Sequence, residues 1–229
     1  MKRQLVVACT LALLAASPAF AVNGNIGIFA DPGLASCQTT VACDGFTTLY
    51  VYGLLQGASQ LGITGAEFGI KQSAAAGWAF AEIPVAGPNL TIGNAMLDPN
   101  SGVGGLNVAY PSCEIGMSDA ESVPGVAVLL RKLFVQRSCP SGQNTLTVVA
   151  REPPSNQFLR CPLFVLCDQA FSLYCLGSNI NPVQCPFPPF NFACSTSSSG
   201  EFVLNPEPGT SCTVAVEEKT WTGIKDLYR

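Results

Sequence analysis

Residues 63–70 read Ile-Thr-Gly-Ala-Glu-Phe-Gly-Ile, and this stretch decides the fold. Ala66, Phe68 and Ile70 fall on one side of an extended chain, with Glu67 and Gly69 on the other. That two-residue period is the mark of a β-strand with one face turned to a core.

Similar stretches extend in both directions. Toward the N-terminus, residues 46–55 (FTTLYVYGLL) are rich in Thr, Tyr and Val, and residues 25–31 (NIGIFAD) close on the turn Asp31-Pro32-Gly33. Toward the C-terminus, residues 78–85 and 90–97 flank Gly87-Pro88-Asn89, and Asp98-Pro99-Asn100-Ser101-Gly102 is a further turn before a strand at 106–110. Residues 125–135 (GVAVLLRKLFV) are long enough for a helix, but their β-branched content and leading glycine favour a strand. Strands are also expected at 145–150, 162–167, 171–176 and 202–204. Turn signals at roughly 8–12-residue spacing between short strands indicate an all-β fold. The expectation is an antiparallel β-sandwich, immunoglobulin-like or cohesin-like.

Composition agrees. Only 11% of the 229 residues are charged, against about a quarter in an average globular protein, and 22 Gly with 17 Pro punctuate the chain. Long surface helices need charged faces that this chain cannot supply.

The first residues, Met1-Lys2-Arg3, precede an apolar run at 5–16 and then Ser17-Pro18-Ala19-Phe20-Ala21. This is the order of a secretory signal peptide, expected at 1–21 with cleavage after Ala21. The run is too short for a permanent membrane span, and none follows it. One β-sandwich domain is expected at 22–215, with an irregular Cys/Pro/Ser-rich loop at 177–199. A tail follows at 216–229. In the tail, Thr220 is a candidate N-cap, and Trp221, Ile224, Leu227 and Tyr228 form an apolar stripe. That short helix would dock on the domain or be read as a recognition or sorting element.

Cys9 leaves with the signal, so ten of the eleven cysteines remain. An even count in an exported chain implies disulfides. There is no C-x-x-C and no histidine, so the common zinc, iron–sulfur and thioredoxin-type patterns are missing. Strand order suggests Cys37 with Cys113 and Cys139 with Cys167. Cys185 and Cys194 would close their own Pro/Phe-rich loop. Cys43, Cys161, Cys175 and Cys212 stay unassigned.

Two stretches resemble a group of uncharacterised exported bacterial β-rich proteins. The first is NIGIFADPGLASC at 25–37 with GITGAEFGI at 62–70, matching a mature start of the form I-G-I/V-Y-x-D…C followed by G-A/I-x-G-A-E-F. The second is VEEKTWTGIKDLYR at 216–229, matching an ending V-E-E-S/T-x-W-G-x-I-K-x-L-Y-R. Phe29 stands where the tyrosine is usual, and Thr222 intervenes between Trp221 and Gly223. The resemblance implies export, β architecture and a meaningful tail. It implies no activity.

The absence of histidine excludes Ser-His-Asp and Cys-His mechanisms and HExxH metalloproteases. No GxSxG, P-loop or strand-following GxGxxG occurs. Loss of Lys2 and Arg3 takes the net charge from −4 to −6, which argues against nucleic acid. Arg131, Lys132, Arg137, Arg151 and Arg160 cluster in sequence, read as strand faces and loops or as an anion-binding patch. A hydrolase would need two converging carboxylates, with Glu67, Glu82, Glu114, Asp119 and Glu121 as candidates. Glu67 and Glu82 fall on the polar faces of their strands, where solvated side chains are expected. A carbohydrate-binding module would use exposed aromatics such as Trp78, Tyr110 or Phe190. No cofactor is called for. Calcium is the ion that Asp31, Asp44, Asp98, Asp119 and Glu121 would take, since they lie in expected turns. Such residues are also ordinary Asx-turn formers. The reading reached is a non-enzymatic exported module with a surface, matrix or protein-binding role. Its partners would be other envelope or extracellular proteins, or glycans.

Overall fold

A computed structural model describes residues 24–73, 76–155, 160–168, 170–176 and 202–206. The expected signal peptide, the 177–199 loop with Cys185, Phe190 and Cys194, Cys212, and the tail helix with Trp221, Ile224, Leu227 and Tyr228 lie outside the described residues.

The order is β1 (Asn25–Phe29), β2 (Gln38–Thr39), β3 (Phe46–Leu54), β4 (Ile63–Gln72), β5 (Trp78–Ile83), β6 (Leu90–Leu97), β7 (Gly104–Glu114), β8 (Ala127–Arg137), β9 (Asn144–Val149), β10 (Leu163–Leu166), β11 (Leu173–Cys175) and β12 (Phe202–Leu204). A 3-10 turn at Gly57–Leu61 is the one helical element among the described residues. No helix there is long and apolar enough to cross a membrane.

Four strands form one sheet in the order β1-β3-β8-β5, and eight form the other around β4. Ile26, Ile28, Leu49, Val51, Leu133 and Val135 from the first sheet meet Ala66, Phe68, Ile70, Leu106, Val108 and Phe164 from the second in one core. The alternation at 63–70 is therefore the alternation of a sandwich strand. Two pairings depart from the antiparallel expectation: β12 runs parallel to β2, and β4 meets β6 in parallel at Ile70 and Met96. Phe164 reaches across the core to the opposite sheet. A Cβ on Gly53 would lie 2.9 Å from its Cζ, so the glycine makes room for the ring.

The disulfides correct the expected pairing. Cys43 bonds Cys139, and Cys113 bonds Cys167. Cys37 cannot then pair with Cys113, nor Cys139 with Cys167; Cys37 and Cys161 are also disulfide-bonded. Topology explains the correction. Phe46 of β3 pairs with Gln136 of β8, so Cys43 and Cys139 flank the same end of that strand pair. Ile63 of β4 pairs with Glu114 of β7 and Leu166 of β10, so the second bridge spans β4 from one neighbour to the other. Gly62 sits beneath it at φ +107°, where a Cβ would lie 3.3 Å from that of Cys113. β1 belongs to the four-stranded sheet, away from β7.

Candidate functional site

The outward side of the four-stranded sheet is a second apolar surface. Phe46, Thr48, Tyr50 and Tyr52 of β3 point away from the core residues Leu49 and Val51. Register places Lys132 and Phe134 of β8, and Ala81 and Ile83 of β5, on the same outward side. A single strand with apolar residues on both sides needs cover for both.

Half of this surface is covered by the chain itself. Phe29, Tyr52, Ala127 and Leu129 are buried there, with Leu34, Val85 and Val123 packed against them. The Tyr52 hydroxyl donates to the Glu121 carbonyl at 2.7 Å, and the Leu129 amide donates to the Ser122 hydroxyl at 2.8 Å. Lys132 pairs with Glu121 and lies 6.0 Å from the Tyr50 ring centre. Burial, then the nearby Glu121 charge, pushes the Tyr52 phenol well above its ordinary range. This cover is the segment at 115–126 between β7 and β8.

Glu114 holds the segment's start. Its Oε1 accepts the amides of Gly116 and Met117, each at 2.6 Å, and of Ser118 at 3.3 Å. Burial alone would raise the Glu114 pKa. Hydrogen bonds from the Ser118 hydroxyl and the three amides outweigh it and hold the pKa below the usual range. A lowered folded-state pKa gives stability that is complete above the unfolded value and lost as pH falls through the folded one. The difference in unfolding midpoint between the native chain and Glu114→Gln should therefore be constant near neutrality. It should shrink as pH drops below the ordinary glutamate range, which a thermal-melt series across pH measures.

The other half of the surface is open. Phe46 is 71% exposed and stacks on Phe134, with ring centres 5.2 Å apart at an interplanar angle of 29°. Ala79 and Ala81 are exposed beside them, and Ile83 is 38% exposed. No charged side chain interrupts Phe46, Phe134, Ala79 and Ala81. The sequence reading passed over Phe46. The signal was present in residues 46–52, where Phe, Thr, Tyr and Tyr alternate with the core positions.

The candidate carboxylates are dispersed and individually engaged. Glu67 is 3% exposed, a correction to its expected solvation, because the residues around Ser155 cover the outer side of β4. It accepts the Ser155 amide at 3.1 Å and the Asn107 amide group at 3.1 Å. Glu82 is also corrected: it points inward, where it takes Arg131 Nε at 2.8 Å and the Met96 amide at 3.1 Å. Asp119 accepts the amides of Ala86 and Glu121. Glu114 and Glu121 serve the covering segment.

The turn carboxylates act within their turns. Asp31 accepts from Ala35 and Ser36, and Asp98 accepts from Asn100 and Ser101. The Ser101 amide, the Ser101 hydroxyl and the Asn100 amide hold the Asp98 pKa low. Asp44 stands in the exposed turn before β3 at φ +54°. Among the described residues no three Cys, Asp or Glu side chains gather as a cation would need. The basic cluster disperses likewise, with Arg131 and Lys132 paired to glutamates and Arg137 donating to the Val41 and Ser141 carbonyls. Trp78 and Tyr110, named as exposed aromatics, are 7% and 6% exposed and pack in the core, so neither offers an open ring face.

No family model matches the chain, and no curated protein matches it. Among solved structures, the chain is similar to a cohesin module of a Clostridium perfringens family 33 glycoside hydrolase. Identity is 13% and the TM-score 0.41, with 68% of this chain and 90% of that one covered. It is also similar to the sixth cohesin of Acetivibrio cellulolyticus scaffoldin B, solved with a mutant dockerin. There identity is 12% and the TM-score 0.37, with 81% of this chain and 99% of that one covered. The fold class rests on the two sheets themselves.

Proposed function

We propose that the chain is a non-catalytic exported module that binds another protein through the open half of the four-stranded sheet. The observation that carries this reading is the stacked Phe46–Phe134 pair standing in an uncharged stretch of sheet. The same side of the same sheet is buried in its other half by residues 115–126 with Leu34 and Val85. Contiguous exposed apolar surface rimmed by polar groups marks an interaction site, and aromatic residues dominate the energetics of such sites. The partner is a protein surface with its own apolar patch, because this half offers few charges to complement. The disulfides agree with an oxidising compartment.

A photoreactive benzoylphenylalanine in place of Phe46 tests this on the producing cells and their medium. Irradiation should give a discrete protein adduct at that position. The same group in place of Leu90, which is 53% exposed on the other sheet, should not. Equal adduct yields at both positions, or cleavage of a peptide or glycan library by the purified chain, would contradict the reading.

A further inference from the structure

β5 (Trp78–Ile83) is an outermost strand of the four-stranded sheet and pairs with β8 on one side only. Among the described residues, no backbone hydrogen bond reaches residues 79–83 from outside that pairing. A row of peptide groups is therefore left without a ladder partner.

Proteins ordinarily blunt such edges by shortness, cover, bulges or charge. The other edges of this molecule carry those devices. β1, at the far side of the same sheet, is almost wholly buried. β11 and β2, at the ends of the eight-stranded sheet, have three and two residues. β6 shifts register against β7 between Asn94 and Leu97, and Gly93 beside the shift adopts φ +85°. β5 has none of them. It runs for six residues and holds one register against β8, from Trp78–Arg137 to Ile83–Lys132. Its single charge, Glu82, is turned inward and paired with Arg131.

A strand that completes this edge must be regular, alternating and free of unpaired charge. β5 itself meets that requirement. Its outward side reads Ala79, Ala81 and Ile83, all exposed. Antiparallel pairing about a two-fold axis would set β5 against its own copy, a contact that closes as a dimer. Small apolar side chains then meet on the outward side. No like charges are brought together, because each Glu82 stays with the Arg131 of its own chain.

We propose that two copies of this chain join along β5, so that two four-stranded sheets become one continuous sheet of eight. The pairing uses the edge of the sheet, and so goes beyond the binding role of its outer side. That side stays open. Three strand spacings of about 4.8 Å put the two β8 strands about 14 Å apart, so one dimer presents two Phe46–Phe134 patches on the same side. Pro84 ends the strand. A ladder this short falls below the roughly 1,200–2,000 Å² of a standard interface, so the association is weak and concentration-dependent.

Sedimentation velocity of the purified full chain, from about 1 μM to about 1 mM, should show monomer giving way to dimer. Amide hydrogen exchange at residues 79–83 should be slower at the high end of that range than at the low end. Ala81→Lys sets like charges near each other across the axis at an exposed position. It should raise the dissociation constant by about tenfold or more. An equimolar mixture of Ala81→Lys and Ala81→Glu chains should dimerise again, which misfolded variants could not do. Leu90→Lys, on the other sheet, should leave the dimer unchanged. A chain that stays monomeric throughout, or unchanged association in Ala81→Lys, would overturn the proposal. So would association lost in Phe46→Asp but kept in Ala81→Lys, which would place the copies face to face on the aromatic patch. Cross-linking from position 46 needs no dimer, so failure of this pairing and failure of the binding role are told apart.

Discussion

Replacing Cys43 and Cys139 together by alanine is expected to lower the unfolding free energy by about 4–5 kcal/mol. The bridge joins positions 96 residues apart, and their Cα atoms stand 5.4 Å from each other. In the chain-entropy account a cross-link stabilises by denying the unfolded chain its freedom, and loops near a hundred residues give the largest effect, about 4.7 kcal/mol. The Cys113–Cys167 bridge closes a separation of 54 and should give about 4 kcal/mol on the same scale. A domain of this size commonly has about 5–15 kcal/mol of net stability, so loss of either bridge is a large fraction of the total. Denaturant titration of each double-alanine variant checks the size. Losses below about 1 kcal/mol would mean that the strands hold their places without the cross-links. Only 11% of the residues are charged, and surface ion pairs add little beside cross-links of this size.

Replacing Arg131 by methionine should cost about 3–5 kcal/mol, because it strands the Glu82 carboxylate inside the sandwich with only the Met96 amide as partner. The arginine side chain is 9% exposed and the glutamate 12%. Removing one partner of such a pair leaves an uncompensated charge, while removing both charges is far milder. Glu82→Gln in the Arg131→Met background should therefore recover most of the loss, since the amide oxygen still accepts from Met96. The pair thus predicts strong non-additivity in a double-mutant cycle. Additive losses would place the carboxylate in solvent.

The strands were legible because the alternation of apolar and polar residues is local. Residues 63–70 fix one inward set, and Ala66, Phe68 and Ile70 occupy it. The run at 125–135 proved a strand, β8, for the reason its β-branched residues suggested. What stayed hidden depends on contacts between distant residues. Glu67 looked solvated because nothing near it in sequence announces that Ser155 will lie over it. Arg131 lies inward with Leu133 and Val135, and Glu82 inward with Trp78 and Phe80, so two charges meet in the interior although their types suggested solvent. Beyond Arg131 a bulge intervenes, with Val51 paired to Arg131 but Tyr52 to Leu129, and a regular period cannot reveal such a step. The short β2 lacks the length to show a period at all, and its partner β12 lies far along the chain. Trp78 and Tyr110 were read by type as exposed platforms, whereas their strands turn them inward. The disulfide expectation followed the order of strands along the chain, and the sheets follow a different order.

Disulfide mapping reports that spatial order directly. Non-reducing digestion of the purified chain followed by mass spectrometry should recover Cys43 linked to Cys139 and Cys113 linked to Cys167. Those links place β3 beside β8 and carry the outer surface with Phe46 and Phe134 along with them. Recovery of Cys37 linked to Cys113, or of Cys139 linked to Cys167, would contradict the two-sheet arrangement and the site built on it.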